Sequence, residues 1–439
     1  MGSRGEGGLR VTDATDAQAE DAGDEVVRTQ CCIVGGGPAG MMLGLLLSRA
    51  GVDVVVLEKH GDFLRDFRGD TIHPSTLEVL DELGLLEAFL DLPHQKVNEF
   101  QVQTADGESA RVADFGSLRT RCPFIAFIPQ WNFLDFVAGR ARSSPSFHLR
   151  MQTEATDLVE HDGRIEGVRA RSPGGNLVVR ADLVVACDGR GSLVRERAGL
   201  PVRGKGSPID VLWFRLTRRP GDPDQAGGRL AKGLIVVLLN RTDQWQCGYV
   251  IPKGAADDVR ERGIEALRAE VADVAPFLAD RVGEIQSWDQ IPLLSVRVDH
   301  LRRWWRPGLL CIGDAAHAMS PVGGIGINLA IQDAVAAANG LVKPLLHRSL
   351  DTRDLRRVQR RRMWPTRATQ RVQLVLQNRL LAPNLRGSVD PRLPLALRVL
   401  ARVPALQRAA GRLVGIGFRP EHVRTPVAGP SGTMVRATR

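Results

Sequence analysis

The chain has 439 residues, 43% hydrophobic and 25% charged, with 46 Gly, 25 Pro and 6 Cys. That balance fits a globular protein with a large core and excludes a collagen-like, wholly disordered or disulfide-stapled chain. The net charge of +9 is uneven: residues 343–439 hold 21 of the 59 Lys+Arg and 4 of the 50 Asp+Glu, which leaves 38 against 46 before them. An acidic body of −8 therefore ends in a basic segment of +17. The six cysteines show no CxxC pair and no His partner at zinc spacing. They point to no metal and to a reducing compartment, so the expected location is cytoplasmic.

Residues 1–25 are rich in Gly, Asp, Ala and Glu and have no apolar stretch of the signal-peptide kind, which predicts a disordered leader. Residues 26–34 read as a buried strand, Gly35-Gly36-Gly37-Pro38-Ala39-Gly40 as a turn, and 41–50 as a helix. A second strand over 52–57 ends in Glu58-Lys59. In this strand–turn–helix–strand setting, GxGxxG reads as a dinucleotide cradle. Gly35 makes the tight turn, Gly37 admits a pyrophosphate, and Gly40 lets the helix lie close on the sheet. The helix N-terminus offers unpaired N–H groups and about half a positive charge to the phosphates. Glu58, 18 residues after Gly40, can accept ribose hydroxyls, which favours FAD or NAD over NADP here.

Two further motifs follow. A strand over 181–186 runs into Cys187-Asp188-Gly189-Arg190-Gly191, and one over 309–312 runs into Gly313-Asp314-Ala315-Ala316-His317. The second continues through Pro321, Gly323, Gly324, Gly326 and Asn328 into a helix from 329. Asp314 can accept from a polyol hydroxyl, and the glycines turn backbone N–H groups toward something flat or anionic.

In this order and spacing, over about residues 28–345, the three motifs resemble those of the FAD-dependent aromatic hydroxylases related to para-hydroxybenzoate hydroxylase. The resemblance implies an α/β fold: a doubly wound (Rossmann-like) FAD-binding domain, an inserted, mostly antiparallel β-sheet substrate domain, and a C-terminal helical segment. The implied boundaries are 26–200 and 295–346 for the FAD domain, 201–294 for the substrate domain, and 347–439 for the arginine-rich helices. It also implies FAD held at its ADP half by Gly35, Gly37, Gly40 and Glu58, and at its ribityl chain by Asp314. Pro321 and the turn containing Gly324, Gly326 and Asn328 would meet the isoalloxazine.

Arg68 sits where that family has an arginine near the pyrophosphate and the moving flavin. Gln130 resembles the family's glutamine or arginine beside the ribityl chain. Asp188 resembles an aspartate associated with both FAD and NAD(P)H. His317 reads as part of a turn rather than a base, and His73, before Pro74, as a helix-opening residue.

In the middle of the chain, 211–216, 234–239 and 244–250 are strand-like, 254–277 is an amphipathic helix pair, and 286–292 returns toward the FAD domain. Trp213, Phe214, Trp245 and Tyr249 are candidate substrate-wall residues, with plain core packing as the alternative. There is no second dinucleotide fingerprint. The resemblance implies that NADPH or NADH is a transient co-substrate that reduces FAD. O2 then reacts, and a C4a-hydroperoxyflavin transfers oxygen to an aromatic or other electron-rich small molecule. No residue stands out as a catalytic base. An oxidase, reductase or epoxidase of natural-product tailoring is the alternative on this scaffold, and a noncatalytic flavin protein is the alternative in kind. A halogenase is disfavoured, because the stretch nearest to WxWxIP, Ser287-Trp288-Asp289-Gln290-Ile291-Pro292, has one tryptophan.

Beyond a helix over 336–346, helices are expected over 353–362 and 364–381, with Pro383, Pro391, Pro394 and Pro404 breaking the rest. After residue 346 the aromatic residues are Trp364 and Phe418, too few to stack bases, so no nucleic-acid partner is expected. The basic helices are expected to pack on the acidic body or across a homodimer, with peripheral membrane contact as the alternative.

Overall fold

A computed structural model of the chain describes residues 24–64, 70–104, 107–224, 226–241, 243–387, 395–428 and 434–435. Arg68 and the expected leader up to residue 23 lie outside the described residues.

The strand Glu25–Val34 ends in four fully enclosed residues, Cys31 to Val34. Such an unbroken apolar run suits a parallel sheet covered on both faces. It pairs in parallel with Gly175–Ala186 on one side and Val54–Leu57 on the other. Leu309–Cys311 and Phe147–Arg150 extend the ladder at either side. The register sets Val34 opposite both Leu57 and Ala186, and Ala186 opposite Cys311. All three glycine motifs therefore leave the sheet along one edge, the carboxyl ends of its strands. The strand expected from 181 begins at Gly175, because its first half also closes a hairpin with Arg164–Ser172.

Helix α1 (Pro38–Arg49) is buried continuously from Ala39 to Ser48. Its opening proline costs nothing there, since the first helical N–H has no intrahelical partner. Helices α2 (Pro74–Glu82), α3 (Gln130–Ala141) and α5 (Gly326–Leu346) complete this layer. The segment Val322–Leu346 is long and apolar enough to cross a membrane, yet 72% of that window is buried inside the protein. It is a core helix.

The second sheet has seven strands in the order Leu293–Leu294, Ile209–Thr217, Gln244–Pro252, Leu234–Asn240, Gly227–Ala231, Glu99–Thr104 and Ser109–Asp114. All neighbours are antiparallel except Gly227–Ala231 with Glu99–Thr104. Two of its strands thus come from well before residue 201. Short and largely polar, they form a hairpin, and Glu99–Thr104 joins the sheet through a partner more than a hundred residues away, which no local pattern announces. Helix α4 (Ile264–Val274) packs on the back of the sheet through Leu267 and Val271.

Helix α6 (Thr352–Leu376) is continuous where two helices were expected, with Pro365 inside it. Its buried face starts on Leu355 and Val358 and is then largely polar, carrying Gln359, Arg362, Thr366, Thr369, Gln370 and Gln373. A five-residue π-helical turn, Gln377–Leu381, follows. Helices α7 (Leu395–Arg402) and α8 (Pro404–Gly415) lie on the strand Ser109–Asp114. The described helices of the basic segment are therefore packed on the body of the molecule.

Candidate active site

At the end of the first strand, Gly35 adopts φ +104°. A Cβ there would stand 2.5 Å from the Cys187 carbonyl oxygen, so both the dihedral and the neighbouring strand demand glycine. A Cβ on Gly40 would fall 2.0 Å from the Gly35 oxygen. Gly40 thus sits behind the turn, where it lets α1 lie on the sheet, and is not part of the cleft wall. Gly37 is the N-cap of α1, makes no side-chain cap bond, and has open space around it. The N–H groups of that first helical turn remain available to an anion. The Glu58 carboxylate is buried and oriented by two backbone donors, Gly36 N–H at 2.9 Å and His60 N–H at 3.0 Å.

These groups open onto a cleft of about 760 Å³ that runs from the edge of the parallel sheet to the face of the antiparallel one. Gly35, Gly37, Glu58, Gln130, Asp188, Asp314, Pro321, Gly324 and Gly326 all line it. Asp188 accepts from Val194 N–H at 3.1 Å through Oδ2, while its buried Oδ1 has no protein partner. Burial pushes this carboxyl above its ordinary value, against hydrogen bonds from Ser192 and Val194. Asp314 Oδ2 lies 3.3 Å from Arg190 Nε. Gly324, at φ +62°, presses on Thr71, whose Oγ1 would be 2.4 Å from a Cβ.

Asn328 departs from expectation. Its side chain is spent inside the protein: Oδ1 accepts from His73 N–H and Thr76 Oγ1, and Nδ2 donates to the Thr71 and Gly324 carbonyls. With all four bonding positions used, Asn328 pins the Gly324 turn from behind and does not reach the cleft.

The four candidate wall aromatics divide by strand parity. In the register of the antiparallel sheet, Trp213 faces Gly248, Phe214 faces Cys247, Leu216 faces Trp245 and Leu212 faces Tyr249. Successive side chains on a strand alternate between faces, so Phe214, Trp245 and Tyr249 share the back face. There they pack under α4 with Leu267 and Val271. Trp245 Nε1 donates to Asp222 at 2.9 Å, and the Tyr249 hydroxyl bonds Glu270. Burial, reinforced by Glu270, pushes the Tyr249 hydroxyl up to about 12. Trp213 alone of the four lines the cleft. A Cβ on Gly248 would stand 2.9 Å from its ring, so glycine opposite makes the indole's seat.

One feature of the cleft escaped the sequence. Arg241 and Asp70 form a nearly buried ion pair at 2.8 Å. Arg241 also donates to Gln246 at 2.9 Å and lies over the Phe127 ring at 5.1 Å. Burial pushes the Asp70 carboxyl up, while Arg241 and Gln130 N–H pull against it. Arg241 occupies a hairpin turn of ordinary composition, and its partner is 171 residues away, so no local signal marks it.

The donor set fits FAD: an open helix N-terminus at a glycine turn, a buried acceptor without a partner in Asp188, and a flat glycine-rich wall at 321–326. The chain matches the family described as "FAD binding domain" over residues 28–371. It is 35% identical over 399 residues to 6-methylpretetramide 4-monooxygenase of Streptomyces rimosus, covering 90% of this chain and 94% of that one. It is 32% identical to the dialkyldecalin synthase of Streptomyces rugosporus over 69% of this chain and 63% of the synthase. Its structure superimposes on the OxyS anhydrotetracycline hydroxylase of Streptomyces rimosus with a TM-score of 0.70 at 25% identity, covering 92% of this chain and 78% of that one. Both the motifs at the sheet edge and the family match lead to one conclusion: the chain belongs to the FAD-binding-domain family and is an FAD-dependent monooxygenase of the para-hydroxybenzoate hydroxylase type.

Proposed function

We propose that this monooxygenase hydroxylates a polycyclic phenolic compound of the aromatic polyketide kind, with NADPH or NADH as reductant. The observation that carries this reading is the continuity of the cleft. One space joins the Gly35–Gly37 turn to a substrate wall of Trp213, Leu239, Leu294 and Met319. The likeness to 6-methylpretetramide 4-monooxygenase over nearly the whole of both chains supports the same class.

FAD, when bound, supplies the redox chemistry with nicotinamide and O2. The chain's own residues bind and orient. Gly35, Gly37 and the α1 N-terminus hold the pyrophosphate, Glu58 the ribose, and Asp314 and Gln130 the ribityl region. Asp188 offers its unpaired Oδ1 to a hydroxyl. Pro321, Gly324 and Gly326 form the surface against the flat ring. Trp213 and its apolar neighbours exclude water and hold the aromatic substrate, whose ring area supplies most of its affinity. Arg241, held by Asp70, presents fixed positive charge to a phenolic oxygen, which favours the ionised, electron-rich form of the ring.

The test is turnover of a tetracyclic phenol with NAD(P)H under 18O2. One 18O atom per product molecule is expected. Unlabelled product, or NAD(P)H oxidation that yields only hydrogen peroxide across such substrates, would refute the proposal.

A further inference from the structure

The segment Ala318–Val322 forms the cleft wall through Met319, Ser320 and Pro321. It lies outside both sheets and precedes a single 3-10 turn, Val322–Gly324. Its backbone bonding is sparse: Ala318 N–H donates to Asp299 Oδ1 at 3.2 Å, Val322 N–H donates to Ser320 Oγ at 3.2 Å, the Ala318 carbonyl accepts from Asp299 N–H at 3.3 Å, and the Pro321 carbonyl from Gly324 N–H at 2.9 Å. Buried carbonyls in such a segment need donors from elsewhere.

The C-terminal helix supplies further donors, among them those to the Ser320 and Val322 carbonyls. Gln370 Nε2 donates to the Asp299 carbonyl at 2.6 Å and the Ala318 carbonyl at 3.0 Å. Gln373 Nε2 donates to the Ser320 carbonyl at 3.0 Å and the Val322 carbonyl at 2.8 Å. Gln377 Nε2 donates to Ser320 Oγ. The three residues are at most 1% exposed, and their spacing of three and four places them on one stripe of the helix. The same stripe reaches the start of the substrate sheet. Gln370 Oε1 accepts from Lys205 Nζ at 3.0 Å and Gln377 Oε1 from Ser207 Oγ at 3.2 Å.

An apolar stripe would bury as well and avoid desolvating amides. Here every carboxamide nitrogen donates into one segment, Gln370 to the Asp299 carbonyl as well, and the other face of that segment is the cleft. We propose that Gln370, Gln373 and Gln377 are positioning residues that set the Ala318–Val322 segment as the surface for the flavin ring and tie it to the substrate sheet through Lys205 and Ser207. This rests on the chain being an FAD-dependent monooxygenase but not on the polyketide substrate, and its test uses no aromatic substrate.

Gln373→Met keeps the length and shape of the side chain while removing both donors. The apoprotein, the FAD-titrated protein and the flavin absorption spectrum are measured for this variant and for Gln377→Met. Expected is an apoprotein that melts within a few degrees of the parent, an FAD Kd raised about tenfold (~1.4 kcal/mol), and a shifted visible flavin band. A purely structural role would lower the apoprotein melting temperature and leave Kd and spectrum unchanged. That result overturns the proposal, as does failure of both variants to give a folded apoprotein. If a flavin effect appears while the 18O2 experiment fails, the substrate class is wrong and the positioning role stands.

Discussion

Replacing Arg362 by Met is expected to destabilise the molecule where the C-terminal helix α6 meets the Gly313–His317 turn. Arg362 is 1% exposed and Asp333 is fully buried. The guanidinium Nε lies 2.9 Å from Asp333 Oδ1, and Nη1 lies 3.4 Å from Glu421 Oε1 and 3.3 Å from the Arg419 carbonyl. On its other side Asp333 accepts from Gly313 N–H at 3.1 Å and meets His317 Nε2 at 2.5 Å. The network therefore joins the Gly313–His317 turn beside the cleft to α6 and the chain after α8. Removing one member of a buried pair leaves a stranded charge, at a cost of ~3–5 kcal/mol.

The pH dependence carries the sharper test. Burial pushes Asp333 up, but His317 and Arg362 together hold it below its ordinary value of 3.8. Its stabilisation is present above that value and lost as pH falls through the lower, folded one. Without Arg362 the burial effect is less opposed and the carboxyl rises. The variant's deficit should then be greatest near neutral pH and narrow as pH falls and Asp333 takes up a proton. Urea unfolding of both proteins across this range measures it, with Asp333→Asn in the Met background expected to recover part of the loss. A deficit below about 1 kcal/mol, the size of an exposed pair, or one that does not change with pH, would refute the reasoning.

Two further outcomes follow from other sites. Gly248→Ala should push the Trp213 indole from its seat, since the new Cβ falls 2.9 Å from the ring. An off-rotamer cost of roughly 0.5–1.5 kcal/mol corresponds to a KM for the aromatic substrate raised about two- to tenfold. Flavin content should stay at the parent level, and an unchanged KM or lost flavin would contradict the placement. His73 is fully enclosed, donating from Nδ1 to the Val414 carbonyl at 2.8 Å, and burial lowers it from 6.5 to about 4. The unfolded chain binds its proton first, so native stability should fall as pH drops from 6.5 toward 4, by at most ~3 kcal/mol. His73→Gln should flatten that slope in urea unfolding, and an identical slope would show that other groups carry it.

Much of this molecule was written locally. The Gly35–Gly40 turn, the Glu58 strand end and the Asp314 motif each draw meaning from a few neighbouring residues, because a positive φ, a close backbone approach and an open helix N-terminus are short-range requirements. The fold class follows from the family resemblance that the three motifs carry in their order and spacing. What the chain could not state locally was parity and partnership. Trp213 and Phe214 are adjacent, but the pleat sends one to the cleft and the other under α4.

The ion pair of Arg241 with Asp70 and the place of the strand Glu99–Thr104 in its sheet depend on partners more than a hundred residues away. The basic C-terminus is the clearest case. Its arginine count is a fact of sequence, whereas the burial of Arg362 on Asp333 and of three glutamines on one loop arises only where α6 crosses the motif. Composition is additive along a chain, but desolvation and hydrogen-bond satisfaction are properties of assembled neighbours, and those the tertiary structure alone decided.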